Sequence, residues 1–168
     1  PNSFFHYIVL YSFIMFKNKI LSFFLFLVTT FFASFIGGIT TFKFKEPWYS
    51  TLIKPSFNPP DWVFGPVWTV LYFIIAIAIW NVWNKTKNLN LVYIYFVHLI
   101  FNTTWSIIFF GFKNISLALI NLIVLILLIV FLILKYRVIS KLSSILMLPY
   151  LFWCCFALLL NVYILKLN

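Results

Sequence analysis

Five long apolar runs separated by polar breaks organise this chain of 168 residues. They cover about residues 20–39, 65–84, 91–112, 115–134 and 145–165, and none contains Lys, Arg, Asp or Glu. At 1.5 Å of rise per residue, about 20 helical residues cross a ~30 Å hydrocarbon layer. Each run is therefore predicted to be one membrane-spanning helix. The breaks at 85–90, 113–114 and 135–144 are short and force neighbouring helices antiparallel. The break at 40–64 is long enough to fold over one end of the bundle. The fold class expected is an all-α integral membrane protein, a bundle of five transmembrane helices.

That long break leads into an unusual stretch. Residues 54–69 hold Pro55, Pro59, Pro60 and Pro66 together with Trp62, Trp68 and Gly65. Proline fixes φ and removes a donor, so the stretch is expected to be a stiff, shaped loop that leads into a helix with Pro66 in its first turn. A rigid aromatic loop between two spans suggests a lid over a pocket.

Composition agrees with the membrane reading: 65 % of residues are apolar, 8 % are charged, and the mean hydropathy is +1.11. The net charge of +10 does not point to nucleic acid, because the lysines fall between apolar runs instead of forming one basic face. There they meet lipid headgroups and set orientation. Lys17, Lys19, Lys85, Lys87, Lys135, Arg137 and Lys141 lie on the N-terminal side; Lys43, Lys45, Lys54, Lys113 and Lys166 lie on the other. Seven against five favours the N-terminus inside. Residues 1–14 are apolar yet too short to span, and Met15 before Phe16-Lys17-Asn18-Lys19 looks like a natural start. They are expected to be an upstream extension, with residues 15–168 forming one domain. Cys154 and Cys155 are adjacent and read as small buried hydrophobes. The abundance of Ile, Phe, Lys and Asn resembles an AT-rich genome's bias and points to a bacterial cell envelope.

No ordinary catalytic set is present: there is no carboxylate pair, plausible nucleophile–base spacing or glycine-rich phosphate loop. No catalytic residue, metal ligand or obligatory cofactor is assigned. The third run instead carries His98, Asn102, Trp105 and Phe109 on one helical face. Polar side chains in lipid point inward, either as interhelical glue or as the wall of a pocket. Trp153, Ala157, Leu160 and Asn161 share a face of the fifth run, and Trp68 and Tyr72 lie one turn apart in the second. Trp80 and Trp83 suit an interfacial belt. Ala33 with Gly37 and Ser34 with Gly38 form small-xxx-small pairs that favour tight helix packing over ligand contact. The fourth run, with Ser116 and Asn121 as its polar features, reads as mostly lipid-facing. If Trp68, Trp105 and Trp153 converge, they form an aromatic box for a flat, largely apolar ligand. Asn102, His98 and Asn161 would be its polar handles, and Lys43, Lys45 and Lys54 could pair with ligand carboxylates. A tetrapyrrole with propionates or a sterol fits equally.

These residues carry a resemblance. Trp48-Tyr49, Lys54-Pro55-Ser56, Pro59-Pro60 and Gly65-Pro66-Val67-Trp68-Thr69-Val70-Leu71-Tyr72 look like the first loop and second helix of the translocator protein family, also called tryptophan-rich sensory proteins. Asn102-Thr103-Thr104-Trp105 with Phe109-Phe110-Gly111 resembles that family's third helix. Pro149-Tyr150-Leu151-Phe152-Trp153 with Ala157 and Leu160-Asn161 resembles its fifth. The likeness spans about residues 17–168. It implies a five-helix bundle, often a homodimer, with a pocket beneath the first loop that takes porphyrins, haem-like tetrapyrroles or, in some members, cholesterol. It also implies the binding residues Trp68, Tyr72, Asn102, Trp105, Phe109, Trp153, Ala157 and Leu160, beside the candidate His98. The lid would comprise Trp48, Lys54, Pro55, Pro59 and Pro60. Phe57 departs from the family's usual Trp, and His98 from its frequent Gln. A short sterol-type pattern, Leu160-x-x-Tyr163-x-x-Lys166, is also present.

Three functions follow as expectations. The first is a non-enzymatic tetrapyrrole-binding membrane protein in sensing, transport or stress regulation. The second is light- or oxygen-dependent porphyrin degradation, with Trp68 and Trp153 as oxidisable contacts. The third is a scaffold without ligand function.

Overall fold

Asn18 opens the first helix by accepting hydrogen bonds at Oδ1 from the backbone N–H groups of Ile20 (3.0 Å) and Leu21 (3.2 Å). From there a computed structural model describes residues 18–168 as seven helices joined by short links. They are α1 (Lys19–Phe44), α2 (Trp48–Thr51), α3 (Asp61–Thr86), α4 (Leu89–Ser106), α5 (Ile115–Ile139), α6 (Lys141–Leu146) and α7 (Leu148–Leu167). A π-helical turn, Ile107–Gly111, extends α4. Among the described residues, five segments are long and apolar enough to cross a membrane: α1, α3, α4 with its π turn, α5, and α6 with α7. The chain is an all-α, multi-pass membrane protein. The reading of residues 1–14 lies outside the described residues.

Helix starts use the residue types that their orphan N–H groups require. Asn88 caps α4 through Asn90 and Leu91, Asn114 caps α5 through Leu117, and Ser140 caps α6 through Ser143. Lys87 (φ 51°) follows α3 and Lys113 (φ 54°) follows the π turn, each in the left-handed conformation that stops a helix.

Several expected boundaries move. α1 continues past residue 39 to Phe44, with Thr40 and Thr41 hydroxyls bonded back to the carbonyls of Ile36 and Gly37. Lys43 in the last turn suits the negative helix end. The proline loop ends at Pro60, because Asp61 places a carboxylate in the first turn of α3 and favours helix there. Pro66 is thus the sixth helical residue instead of a first-turn residue. Its missing N–H deprives one carbonyl near the helix start, where the disruption is smallest. The break at 135–144 shrinks to Ser140 alone: α5 carries Lys135 and Arg137 in its last turns, where their long stems let the charges reach the headgroups.

The fourth span is not mostly lipid-facing. One face of α5 buries Ala118, Asn121, Leu122, Leu125, Ile129, Leu132 and Tyr136, because it packs between α4 and the α6–α7 span. Nor is Trp83 a belt residue. Only 4 % of it is exposed, and it packs in the core with Phe26. Of the two cysteines, Cys154 is buried as expected and Cys155 is exposed.

In hydrocarbon, apolar contact alone gives helices little reason to associate. Close packing and interhelical hydrogen bonds, at about 0.6–1.7 kcal/mol each, do that work. Thr30 Oγ1 and Tyr95 Oη lie 2.6 Å apart between α1 and α4. Thr103 donates to the Ala33 carbonyl at 3.1 Å, which the small residues Ala33 and Gly37 permit. Asn81 donates to both Ser140 and Ser143. Around Tyr95, Tyr136, Tyr150, Ile75 and Ile129 the half of the bundle away from the long loop is solidly packed.

Candidate functional site

The loop-side half holds a cavity of about 530 Å³, within the ordinary range for small-molecule sites. Its aromatic wall follows from helical spacing. Trp68 and Tyr72, one turn apart on α3, lie with ring centroids 5.4 Å apart and planes 27° from parallel. Trp105 and Phe109, at the junction of α4 with its π turn, lie 5.1 Å apart and 19° from parallel. The π turn also brings the adjacent Phe110 inward, so both phenylalanines are buried and border the cavity. Such turns recur at functional sites. Trp153 enters from α7, braced edge-on by Phe64 at 5.9 Å, and Ala157 and Leu160 continue its face.

The floor is polar and fully engaged. Tyr72 donates to Asn102 Oδ1, and Asn102 Nδ2 donates to Tyr150 Oη at 3.0 Å. Trp105 Nε1 donates to Asn161 Oδ1 at 3.3 Å, while Asn161 Nδ2 donates to the Ile115 carbonyl at 3.0 Å. Asn102 and Asn161 were expected as ligand handles. Both border the cavity, and their amides tie four helices together and hold the aromatic rings in place.

His98 does not join the cavity. It is wholly buried among Tyr95 and Tyr150, with Nδ1 2.5 Å from the Tyr95 carbonyl oxygen and no partner at Nε2. Eight of the nine binding candidates therefore line one space: Trp68, Tyr72, Asn102, Trp105, Phe109, Trp153, Ala157 and Leu160.

The long loop closes over the π turn. Trp48 meets Phe109 edge-on at 5.4 Å, and Tyr49 meets Phe110 at 5.6 Å. Ile53 exchanges two 3.0 Å hydrogen bonds with the Asn168 side chain, and Phe57 packs on Tyr163 at 5.1 Å. Pro55 is buried in this strap. None of the five lid candidates lines the cavity itself. Trp48, Lys54, Pro55 and Pro60 sit in the strap around it, and Pro59 borders a shallow outer groove with Phe152 and Trp153. Lys54 Nζ lies 4.2 Å from the Tyr49 ring centroid. Burial pushes the Tyr49 phenol above its ordinary pKa, and the charges of Asp61 and Glu46 add to the shift.

Spacing alone missed the contribution of α1. Ser34, Gly38 and Thr41 line the cavity, as does Gly37. A Cβ on Gly37 would meet Ser106 Oγ at 3.4 Å, so the packing reading suits that residue. A Cβ on Gly38 would meet nothing within 4 Å. One small-xxx-small pair packs, and the other leaves room. Lys45 and Asp61 at the mouth, and Leu122 and Leu125 from α5, also border it.

Comparison with known proteins places this geometry. The TspO/MBR family matches residues 23–167. The chain belongs to the TspO/MBR family. It is 39 % identical over 138 residues to the tryptophan-rich protein TspO of Chlorobaculum tepidum, covering 80 % of this chain and 87 % of that one. To the tryptophan-rich sensory protein of Cereibacter sphaeroides it is 34 % identical over 144 residues, covering 84 % and 91 %. To the human translocator protein it is 34 % identical over 119 residues, covering 68 % and 70 %. As a TspO/MBR protein it thus has named relatives called sensory in one case and translocator in another. The matched region contains every cavity residue described above.

Proposed function

We propose that the cavity binds a porphyrin or haem-type tetrapyrrole, and that the protein acts as a membrane receptor in tetrapyrrole sensing, transport or stress regulation. One observation carries the reading: two near-parallel ring pairs, Trp68–Tyr72 and Trp105–Phe109, border the same cavity. Flat π systems gain about 0.5–1.5 kcal/mol from such partners beyond simple burial. A sterol gains only the burial. The names of the relatives, sensory and translocator, support a receptor or carrier over a soluble-type enzyme. We place the protein as a homodimer in a bacterial envelope with its N-terminal side inside. The lysine distribution supports the orientation.

Titration of detergent-purified protein with protoporphyrin IX, followed by tryptophan quenching, tests this. Saturable binding weakened in Trp105→Phe is expected. Non-saturable partitioning, equal in both proteins, would leave only the scaffold reading.

Light- or oxygen-dependent degradation of the bound pigment is favoured by a separate observation. Trp68 and Trp153, both oxidisable indoles, reach the cavity from different helices. Illuminating the complex discriminates: a porphyrin spectrum that stays unchanged excludes degradation.

A further inference from the structure

The lining of the cavity is aromatic, aliphatic or uncharged except at its mouth. There, among the described residues, Lys45 and Asp61 are the charged side chains that border it. Lys45 follows the last turn of α1, and Asp61 begins α3, so their ion pair bridges the first two spans at the edge of the cavity. Glu46 Oε1 stands 3.8 Å from the same Nζ, and the Tyr49 ring centroid is 5.3 Å away. The partners are unequally placed. The Lys45 side chain is 22 % exposed and that of Asp61 is 59 % exposed. The cation is held at the cavity, while the carboxylate already faces outward.

We propose that Lys45 is the recognition point for a ligand carboxylate, masked by Asp61 until an acidic ligand takes Asp61's place. This rests on the reading of the cavity as a ligand pocket, and it sharpens the ligand class to flat apolar molecules that carry an acid. Neutral sterols and esters fall outside that class.

The exchange conserves charge. One carboxylate leaves Nζ for water and another arrives with the ligand. An ion pair this open to solvent contributes little to stability, so giving it up costs little. A ligand carboxylate drawn to the mouth of an apolar cavity meets the opposite situation. At the mouth it keeps part of its hydration, and beside Lys45 in a lower dielectric the attraction is stronger than in water. A neutral ligand gains nothing from Lys45 and leaves the Lys45–Asp61 pair in place. Lys54, over the far-reaching Tyr49 ring but off the cavity lining, does not substitute for it.

The test compares protoporphyrin IX with its dimethyl ester in uncharged nanodiscs, using tryptophan quenching on wild type, Lys45→Gln, Lys45→Arg and Asp61→Asn. The wild-type protein is expected to prefer the acid by about fivefold, the scale of a partly exposed ion pair. Lys45→Gln brings the acid-to-ester affinity ratio close to one, Lys45→Arg preserves the ratio, and Asp61→Asn raises it. Because the readout is a ratio within each variant, a general loss of folding does not mimic the effect. Equal affinities for acid and ester in wild type and in Lys45→Gln overturn the role of Lys45 while leaving the tetrapyrrole pocket standing. Failure of both probes to saturate wild type overturns the pocket and the role of Lys45 together.

Discussion

The Tyr72 hydroxyl donates to Asn102 Oδ1, joining α3 to α4 at the bottom of the cavity. Asn102 passes the connection on to Tyr150 of α7 through Nδ2. Three of the five spans therefore meet at one amide. The same amide holds Tyr72 where its ring stacks on Trp68.

Removing parts of this junction separates its two contributions. Tyr72→Phe deletes one donor and is expected to cost about 1 kcal/mol. Asn102→Leu removes both bonds from buried hydroxyls and is expected to cost more, about 2–3 kcal/mol. Denaturation in mild detergent, followed by near-ultraviolet circular dichroism, measures both. Equal costs would show that the Tyr150 bond adds nothing.

The two adjacent glycines of α1 are expected to respond differently. Gly38→Ala adds a methyl into open space and raises stability by about 0.5–1 kcal/mol through backbone entropy. Gly37→Ala gives less, because its Cβ reaches Ser106 Oγ at 3.4 Å. Thermal unfolding of the two variants side by side checks the order. Gly38→Leu extends into the cavity and should weaken porphyrin binding without unfolding the bundle.

Ala157 marks the place where α7 gives way to the cavity. Ala157→Phe fills that space from a helix that stays otherwise unchanged. Porphyrin affinity is expected to fall by at least about tenfold, a loss of ~1.4 kcal/mol. Stability should hold or rise, because a void has been filled and no core overpacked. Quenching titration and thermal unfolding report the two effects separately.

His98 supplies a control for haem. It lies outside the cavity lining, packed against Tyr95 and Tyr150. Haem added to wild type and to His98→Gln should therefore give the same Soret band. A shift confined to the variant would mean that the imidazole reaches the iron after all.

The case of His98 also shows how far the sequence could be read. Steps of four, three and four put His98, Asn102, Trp105 and Phe109 on one face, and the structure has all four pointing inward. Periodicity gives the face of a helix and says nothing of depth along it. One turn is about 5.4 Å, enough to carry a residue from the cavity into the packed core. The spans were legible for the same reason that depth was not: hydrocarbon imposes length and apolarity on every run alike. Ser34, Gly38 and Thr41 were hidden for another reason. A small residue looks the same in sequence whether a helix or a void lies opposite, as the contrast of Gly37 with Gly38 shows. The lid prolines drew notice to the right segment, but their stiffness serves the strap more than the lining.

Beneath Asn102 the core is closed by Tyr95, Tyr150, Ile75 and Ile129, all essentially without exposed surface. The cavity is thus a cul-de-sac. A ligand admitted between Lys45 and Asp61 cannot pass through to the far side of the bundle unless three helices part at the Asn102 amide. In a vesicle the protein would accordingly have sidedness: a membrane-impermeant porphyrin added outside would quench only those molecules whose mouths face it.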